Sequence, residues 1–469
     1  MNLKSITFLT AIPLVLAGCD FELDYKDSST TPTPTVTSAE LLDPTIAAGN
    51  KFGSLTVILA NGNIVVTSPE DSSVASNNGA VHLYNPYKKI LIKSIYGDNA
   101  NDFLGQTSIT ALTNNNFVIA SKLDGVGGVS DVGSVMLING ATGSQIGSTF
   151  VGNTASDQLG FSIKALPNNN FVIASPFDDV GVGPSVVNAG SVILVSGTTG
   201  AQIGSTFAGN ATNDYLGNGG VTALTNNNFV IASEYDNLGG SVVDAGSVIL
   251  VSGATGAQIG STLAGNATND YLGFSGITAL TNNNFVIASP LYSSAASDVY
   301  KRQLVNGATG ALIGTIVGDT ASDQLGYSFI TALTNNNFVI ASENDNVGGI
   351  TDAGSVMLIN GATGAQIGST LAGNTASDKL GFTGVAKLNN NHFVVASRYD
   401  NVDSVTDAGS IRQIDTSGSQ VKLISGTTTD DMSSVGISTT SAANFYVVRL
   451  LNFDKSSYTN SGFATVVAY

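Results

Sequence analysis

Asn116-Phe117-Val118-Ile119-Ala120-Ser121 is the stretch on which the fold turns. The same run, or a close variant, returns at Phe171, Phe229, Phe285, Phe338 and Phe393. Weaker copies stand at Ile64 to Ser68 and at Phe445 to Val448, which makes eight copies spaced 52 to 58 residues apart. Recurrence of this kind within one chain is internal duplication, and the repeated unit sets the architecture.

Working outward from the third copy, four strand-like runs appear: Phe161 to Leu166, Phe171 to Ser175, Ser191 to Val195 and Gln202 to Phe207. The second and third are continuously apolar, as strands covered on both faces must be. The fourth mixes Gln, Gly, Ser and Thr with Ile and Phe, as an outer edge does. Asn168-Asn169-Asn170 and Gly197-Thr198-Thr199-Gly200 supply turns, because Asn and Gly tolerate positive φ. Four strands per unit of this size make the blade of a propeller. The expectation is an all-β chain of eight four-stranded blades, or seven if a terminal copy is irregular, spanning 44–469. The last copy stops after a third strand. Thr45 to Asn50 resembles the fourth-strand ending Ser205 to Asn210, so the N-terminal strand is expected to close the last blade and cover an exposed edge.

The units resemble the FG-GAP repeat of integrin-α-type propellers. Phe52-Gly53 followed by Thr67-Ser68-Pro69 carries the likeness, as does Leu159-Gly160 followed by Ala174-Ser175-Pro176. The resemblance implies a propeller used for adhesion or for holding a partner. The Asp-x-Asp-x-Asp-Gly calcium loop of such repeats is missing. Its hairpin carries Asn-Asn-Asn, so the family's calcium sites do not carry over.

The chain opens with Lys4 and an apolar run, Ile6 to Leu16, too short to span a bilayer as a permanent helix. It ends in Leu16-Ala17-Gly18-Cys19, which resembles the lipobox of bacterial lipoproteins. That likeness implies a signal peptide over 1–18, a diacylglycerol on Cys19 and a membrane partner reached through lipid. Asp20 resembles an inner-membrane retention signal of enteric bacteria, a rule other groups do not follow, so sorting stays open. Residues 19–43, with Ser28 to Thr35 rich in Ser, Thr and Pro, read as a tether. Cys19 is the one cysteine, so no intramolecular disulfide forms and the fold rests on burial and backbone pairing. The expected location is the cell envelope, periplasmic or surface side.

A net charge of −17 argues against nucleic acid and anionic lipid as electrostatic partners. Strand alternation puts the loops between strands two and three, and those joining one blade to the next, on one face. Most repeated acids fall there: Asp124, Asp131, Asp178, Asp179, Asp236, Asp244, Asp345, Asp352, Asp400 and Asp407 in the long loops. Asp102, Asp157, Asp214, Asp270, Asp323 and Asp378 stand just before Leu-Gly. Two readings compete. In one the face takes divalent cations, calcium among them, or a basic partner. In the other the Asp before Leu-Gly caps its own turn, while the long-loop acids confer solubility; calcium wants six to eight oxygens from one compact loop, which favours the latter.

Enzyme signatures are sparse: two histidines, His82 and His392, no nucleophile elbow and no phosphate loop. Without tryptophan the docking motifs of quinone-dependent eight-bladed dehydrogenases are absent. Tyr215, Tyr271 and Tyr327 are regularly placed, but Phe at related strand starts points to packing. The reading is a non-catalytic, monomeric binding or adhesion scaffold for a protein or glycan partner. The alternative is a glycan hydrolase with carboxylates at the propeller mouth. Asp298 to Gln303 breaks the fifth copy, and this hexapeptide matches one translation frame of a common transposon sequencing adapter. No chemistry is therefore assigned to Lys301 or Arg302.

Overall fold

The duplicated run becomes the second strand of a four-stranded antiparallel sheet that follows chain order. In the third copy the strands are Ser162–Ala165, Phe171–Ser175, Ser191–Val195 and Phe207–Ala208, with Ile173 opposite both Ile163 and Ile193. The fourth is shorter than expected: Gln202 keeps a single bridge to Val195, then Gly204 turns the backbone to φ +71° before pairing resumes. The computed structural model describes residues 40–469 except 182–185, 239–241, 275, 290–292, 295–296, 299–300, 319–324, 327–328, 389, 427–434, 440–444, 451–462 and 469. The expected signal segment, Cys19 and most of the expected tether lie outside the described residues. Among the latter there is no helix, so none is long and apolar enough to cross a membrane.

Among the described residues seven sheets have four strands, and the eighth copy forms a three-stranded sheet of Val435–Thr439, Phe445–Leu450 and Phe463–Ala468. The first strands of consecutive sheets contact one another in series along the chain, which is a propeller-like arrangement. The expectation of eight four-stranded blades with an N-terminal closing strand is corrected. Residues 45–50 form turns and no strand. Their side chains are engaged elsewhere: Asn50 Nδ2 donates to Asp43 Oδ2 and Asp71 Oδ2, and Thr45 Oγ1 donates to Asp71. Leu42, read as tether, is tied to the first sheet, where the Tyr84 hydroxyl donates to its carbonyl at 2.6 Å, and Asp43 accepts the Thr45 amide. In the interrupted fifth copy Lys301–Val305 still pairs as the third strand, with Ser289 opposite Lys301.

The core is a series of inter-sheet layers. Phe171 and Ile173 pack with Val118, Val135 and Leu137 of the preceding sheet, whereas Val172 and Ala174 pack with Phe229 and Ile231 of the next. A strand's side chains alternate between faces, and here both faces are covered, so a wholly apolar run is required. The pattern repeats between the first and second, fourth and fifth, fifth and sixth, and sixth and seventh sheets.

Polar staples join the same neighbours. Asn168 and Asn170 both donate to Gly253 O of the following sheet, at 2.8 and 2.7 Å. Asn114 and Asn116 treat Gly197 O the same way, and Asn226 and Asn228 treat Gly307 O likewise. The middle Asn of each hairpin is left-handed, φ 70° at Asn115 and Asn169. The Asn-Asn-Asn motif therefore makes the turn, as its composition predicts, and also binds the next blade.

Candidate functional site

The two loop sets assigned to one face by strand alternation do meet. Leu159 N, in a blade-joining loop, donates to Val132 O in a long loop, and Leu216 N to Ala189 O repeats the contact. The acids on this face are mostly structural. Asp157 is buried, and its Oδ2 accepts the amides of Asn153 and Thr154 while Oδ1 accepts the Asp179 amide of the next copy. Asp102, Asp214 and Asp378 are buried with the same twofold role, and Asp270 accepts its own turn's amides. Asp323 lies outside the described residues. The expectation that each acid caps its own turn holds for these, with a second bond into the neighbouring loop that linear spacing does not reveal.

The long-loop acids divide in two. Asp131, Asp244, Asp352 and Asp407 are part-exposed and left-handed, φ 49–53°, a conformation Asp and Asn tolerate better than most residues. Asp124, Asp178, Asp236, Asp345 and Asp400 each stand three residues after the second strand ends, and two of them accept from the first serine of the third. Ser355 donates to Asp345, and Ser410 to Asp400. Burial raises the carboxyls of Asp124 and Asp178 to about 6, with Ser134 and Ser191 opposing the rise and Asp102 and Asp157 adding to it. Asp236 is raised by the same cause. Asp400 is fully buried and paired with Arg412 at 2.7 Å. Asp179 Oδ1 accepts the Asn188 amide.

Among the described residues, two groups bring three potential ligand atoms within 4.8 Å of one another: Asp43, Asp71 and His82, and Asp98, Asp102 and Asp124. The first is a closed hydrogen-bonded cluster in which Asp71 accepts from Thr45, Asn50 and Ser73. His82 is buried there, its Nδ1 2.9 Å from Ser94 Oγ, and desolvation lowers its pKa. His392 is half-buried against Gln413. His82 is thus a packing residue, and His392 is partly at the surface.

A feature not anticipated as a surface is an arc of rings on this face. Phe161, Phe177, Tyr215, Tyr235, Tyr271 and Phe274 meet edge to face in unbroken order, with centroids 5.4–6.1 Å apart. The first five are half-exposed and Phe274 is 47 % exposed. They come from three consecutive copies and from three kinds of position: just before Leu-Gly, just after it, and just before the long-loop Asp. Tyr215 and Tyr271 do pack, as expected, but against other aromatics and in part-contact with solvent. Tyr327 lies outside the described residues. The signal in the sequence was the pairing of Phe177, Tyr235 and Tyr399 with the Asp that follows each.

At the middle of the arc the pattern breaks. Asn218 stands where the neighbouring copies carry Phe161 and Phe274, and its Nδ2 donates to Glu234 Oε1 at 2.7 Å. Glu234 is 6 % exposed, its Oε2 has no hydrogen-bond partner, and burial raises its pKa. A Cβ on Gly219 would lie 2.6 Å from that oxygen, so glycine there leaves room for the carboxylate.

A family described as a repeat of unknown function, DUF5650, matches residues 111–161, 165–218, 223–273 and 332–381. The crystal structure of a eukaryotic initiation factor is similar over 81 % of this chain and 79 % of that one, at 10 % identity and a TM-score of 0.46, too low to carry an argument. No curated protein matches the chain. Matched repeats and seven four-stranded antiparallel sheets together describe a repeat protein with a β-propeller-like fold.

Proposed function

We propose that this chain is a lipid-anchored, extracytoplasmic binding scaffold, non-catalytic, built from propeller blades of the FG-GAP type. The observation that carries the reading is the aromatic arc: half-exposed rings from successive copies on the face where the long loops gather. Large rings left part-wet on a rigid frame offer contact area at low entropic cost, as binding surfaces do. Leu16-Ala17-Gly18-Cys19 supports the anchor, and the Ser/Thr/Pro tether supports display away from the membrane. The hydrolase alternative is the weaker reading, because the paired acids at the copy junctions are held by backbone amides and serine hydroxyls. Calcium enters the proposal at one group, Asp98, Asp102 and Asp124, where Asp124 Oδ1 is buried without a hydrogen-bond partner.

The test is expression of the full chain in a bacterial host fed an alkyne fatty acid. The wild type should take up the label and fractionate with membranes, and Cys19→Ser should do neither. An unlabelled, soluble wild type would remove the anchor from the proposal. A calcium contribution requires thermal unfolding of the purified protein to rise with calcium and fall with chelator, since a ligand bound only by the folded state stabilises it by mass action.

A further inference from the structure

Between Lys164 and Lys301 the chain has no Lys or Arg, yet it carries Asp178, Asp179, Asp214, Glu234, Asp236, Asp244 and Asp270. Most of the aromatic arc, from Phe177 to Phe274, lies within that stretch. The protein's own cations show what such rings accept. At one end of the arc Lys122 Nζ sits 5.0 Å from the centre of the Phe161 ring. In the seventh copy, Arg398 lies over both Phe382 and Tyr399, at 4.7 and 4.4 Å. Arg398 and Glu234 hold the same place in their copies, directly after the serine that ends the second strand. At the position where one copy carries the ring-covering guanidinium, the other carries a carboxylate with a buried, unpartnered oxygen.

Resting on the scaffold reading above, we infer that the arc from Phe177 to Phe274, with Glu234 next to Tyr235 in the chain and hydrogen-bonded to Asn218, binds a basic polypeptide segment whose Lys or Arg side chains stack on the rings. The quadrupole of each ring attracts a cation over its face, and the apolar body of each ring takes the alkyl stem as well. Glu234 adds a negative charge in a poorly solvated position with no cation of its own stretch to compensate it, so an incoming ammonium or guanidinium gains more there than at an exposed acid. The electrostatics of the region favour approach by a positive partner and disfavour an acidic one.

The absence of tryptophan makes tyrosine fluorescence a clean reporter, with Tyr215, Tyr235 and Tyr271 in the arc. The full-length protein is titrated with a fifteen-residue peptide of mixed Lys, Arg and Gly, with the same peptide bearing Glu for Lys and Arg, and with chitin and chitosan hexamers. The expected result is saturable binding of the basic peptide, weakened by salt, and at least tenfold weaker for Glu234→Gln and for Tyr235→Leu. Glu234→Gln keeps the hydrogen bond from Asn218, and each variant's melting temperature controls for folding. A basic peptide that fails to bind, or that binds both variants as well as the wild type, overturns the inference. If instead the uncharged chitin hexamer binds and Tyr235→Leu weakens it, the partner class is wrong while the scaffold reading survives. If no probe binds, both fail together only when the fatty-acid label is also absent.

Discussion

Replacing Asp178 with Asn should stabilise the protein more, relative to wild type, at neutral pH than at acid pH. In the folded protein burial raises its carboxyl from 3.8 to about 6, assisted by the charges of Asp157 and Asp179 and opposed by the Ser191 hydroxyl. Between about pH 4 and pH 6 the folded state therefore holds a proton that the unfolded state has released. Stability contributed by this group is present at the acid end of that window and is lost as pH rises through it. The full difference corresponds to about 3 kcal/mol. Because Asp178 is partly open to solvent, screening reduces the expected value to about 1–2 kcal/mol. Asp178→Asn removes the ionisation at nearly constant shape. Relative to wild type it should gain about 1–2 kcal/mol on going from pH 4 to pH 7.5, read from urea unfolding at both pH values. Acids elsewhere in the chain cancel in that difference. A variant whose offset from wild type is the same at both pH values would refute the claim that Asp178 is buried at a cost.

Gly197→Ala should be far more damaging than Gly127→Ala, although both are loop glycines. A Cβ at 197 would stand 1.8 Å from Asn169 O and 2.5 Å from Leu112 Cδ1 of the preceding sheet, a loss of about 3 kcal/mol by thermal melting. At 127 nothing lies within 4 Å and only the φ of +63° opposes the change, about 1 kcal/mol. Arg412→Ala strands the fully buried Asp400 and should cost about 3–5 kcal/mol in denaturant unfolding. Adding Asp400→Asn to that variant should restore a large part of the loss, and failure to do so would mean that packing of the Arg412 stem, not its charge, is what matters.

Strand content, strand order and turn chemistry were legible because each depends on neighbours in the chain. The run at Phe171 to Ser175 reads as doubly covered from its composition alone, and Asn169 reads as a turn residue from its tolerance of positive φ. Strand alternation was enough to place two loop sets on one face. The recurrence of Asp before Leu-Gly likewise announced a capped turn, which Asp157 and its equivalents form.

What spacing could not supply were relations between copies. Asn170 and Gly253 are 83 residues apart, and Tyr215 and Tyr271 come from successive copies, so no window on the sequence contains both members. The fate of the N-terminal segment was of the same kind. Thr45 to Asn50 has the composition of an edge strand, but Asp43 and Asp71 engage Thr45 and Asn50 in hydrogen bonds that hold the segment in turns. By itself the sequence determined a repeat of antiparallel strands, since backbone pairing and two-sided burial are local demands met in every copy. Only the tertiary structure decided that the conspicuous aspartates are largely braces and that the less regular aromatics form a surface. Solvent exposure is a property of the packed neighbours, which the chain brings together only after the blades have docked.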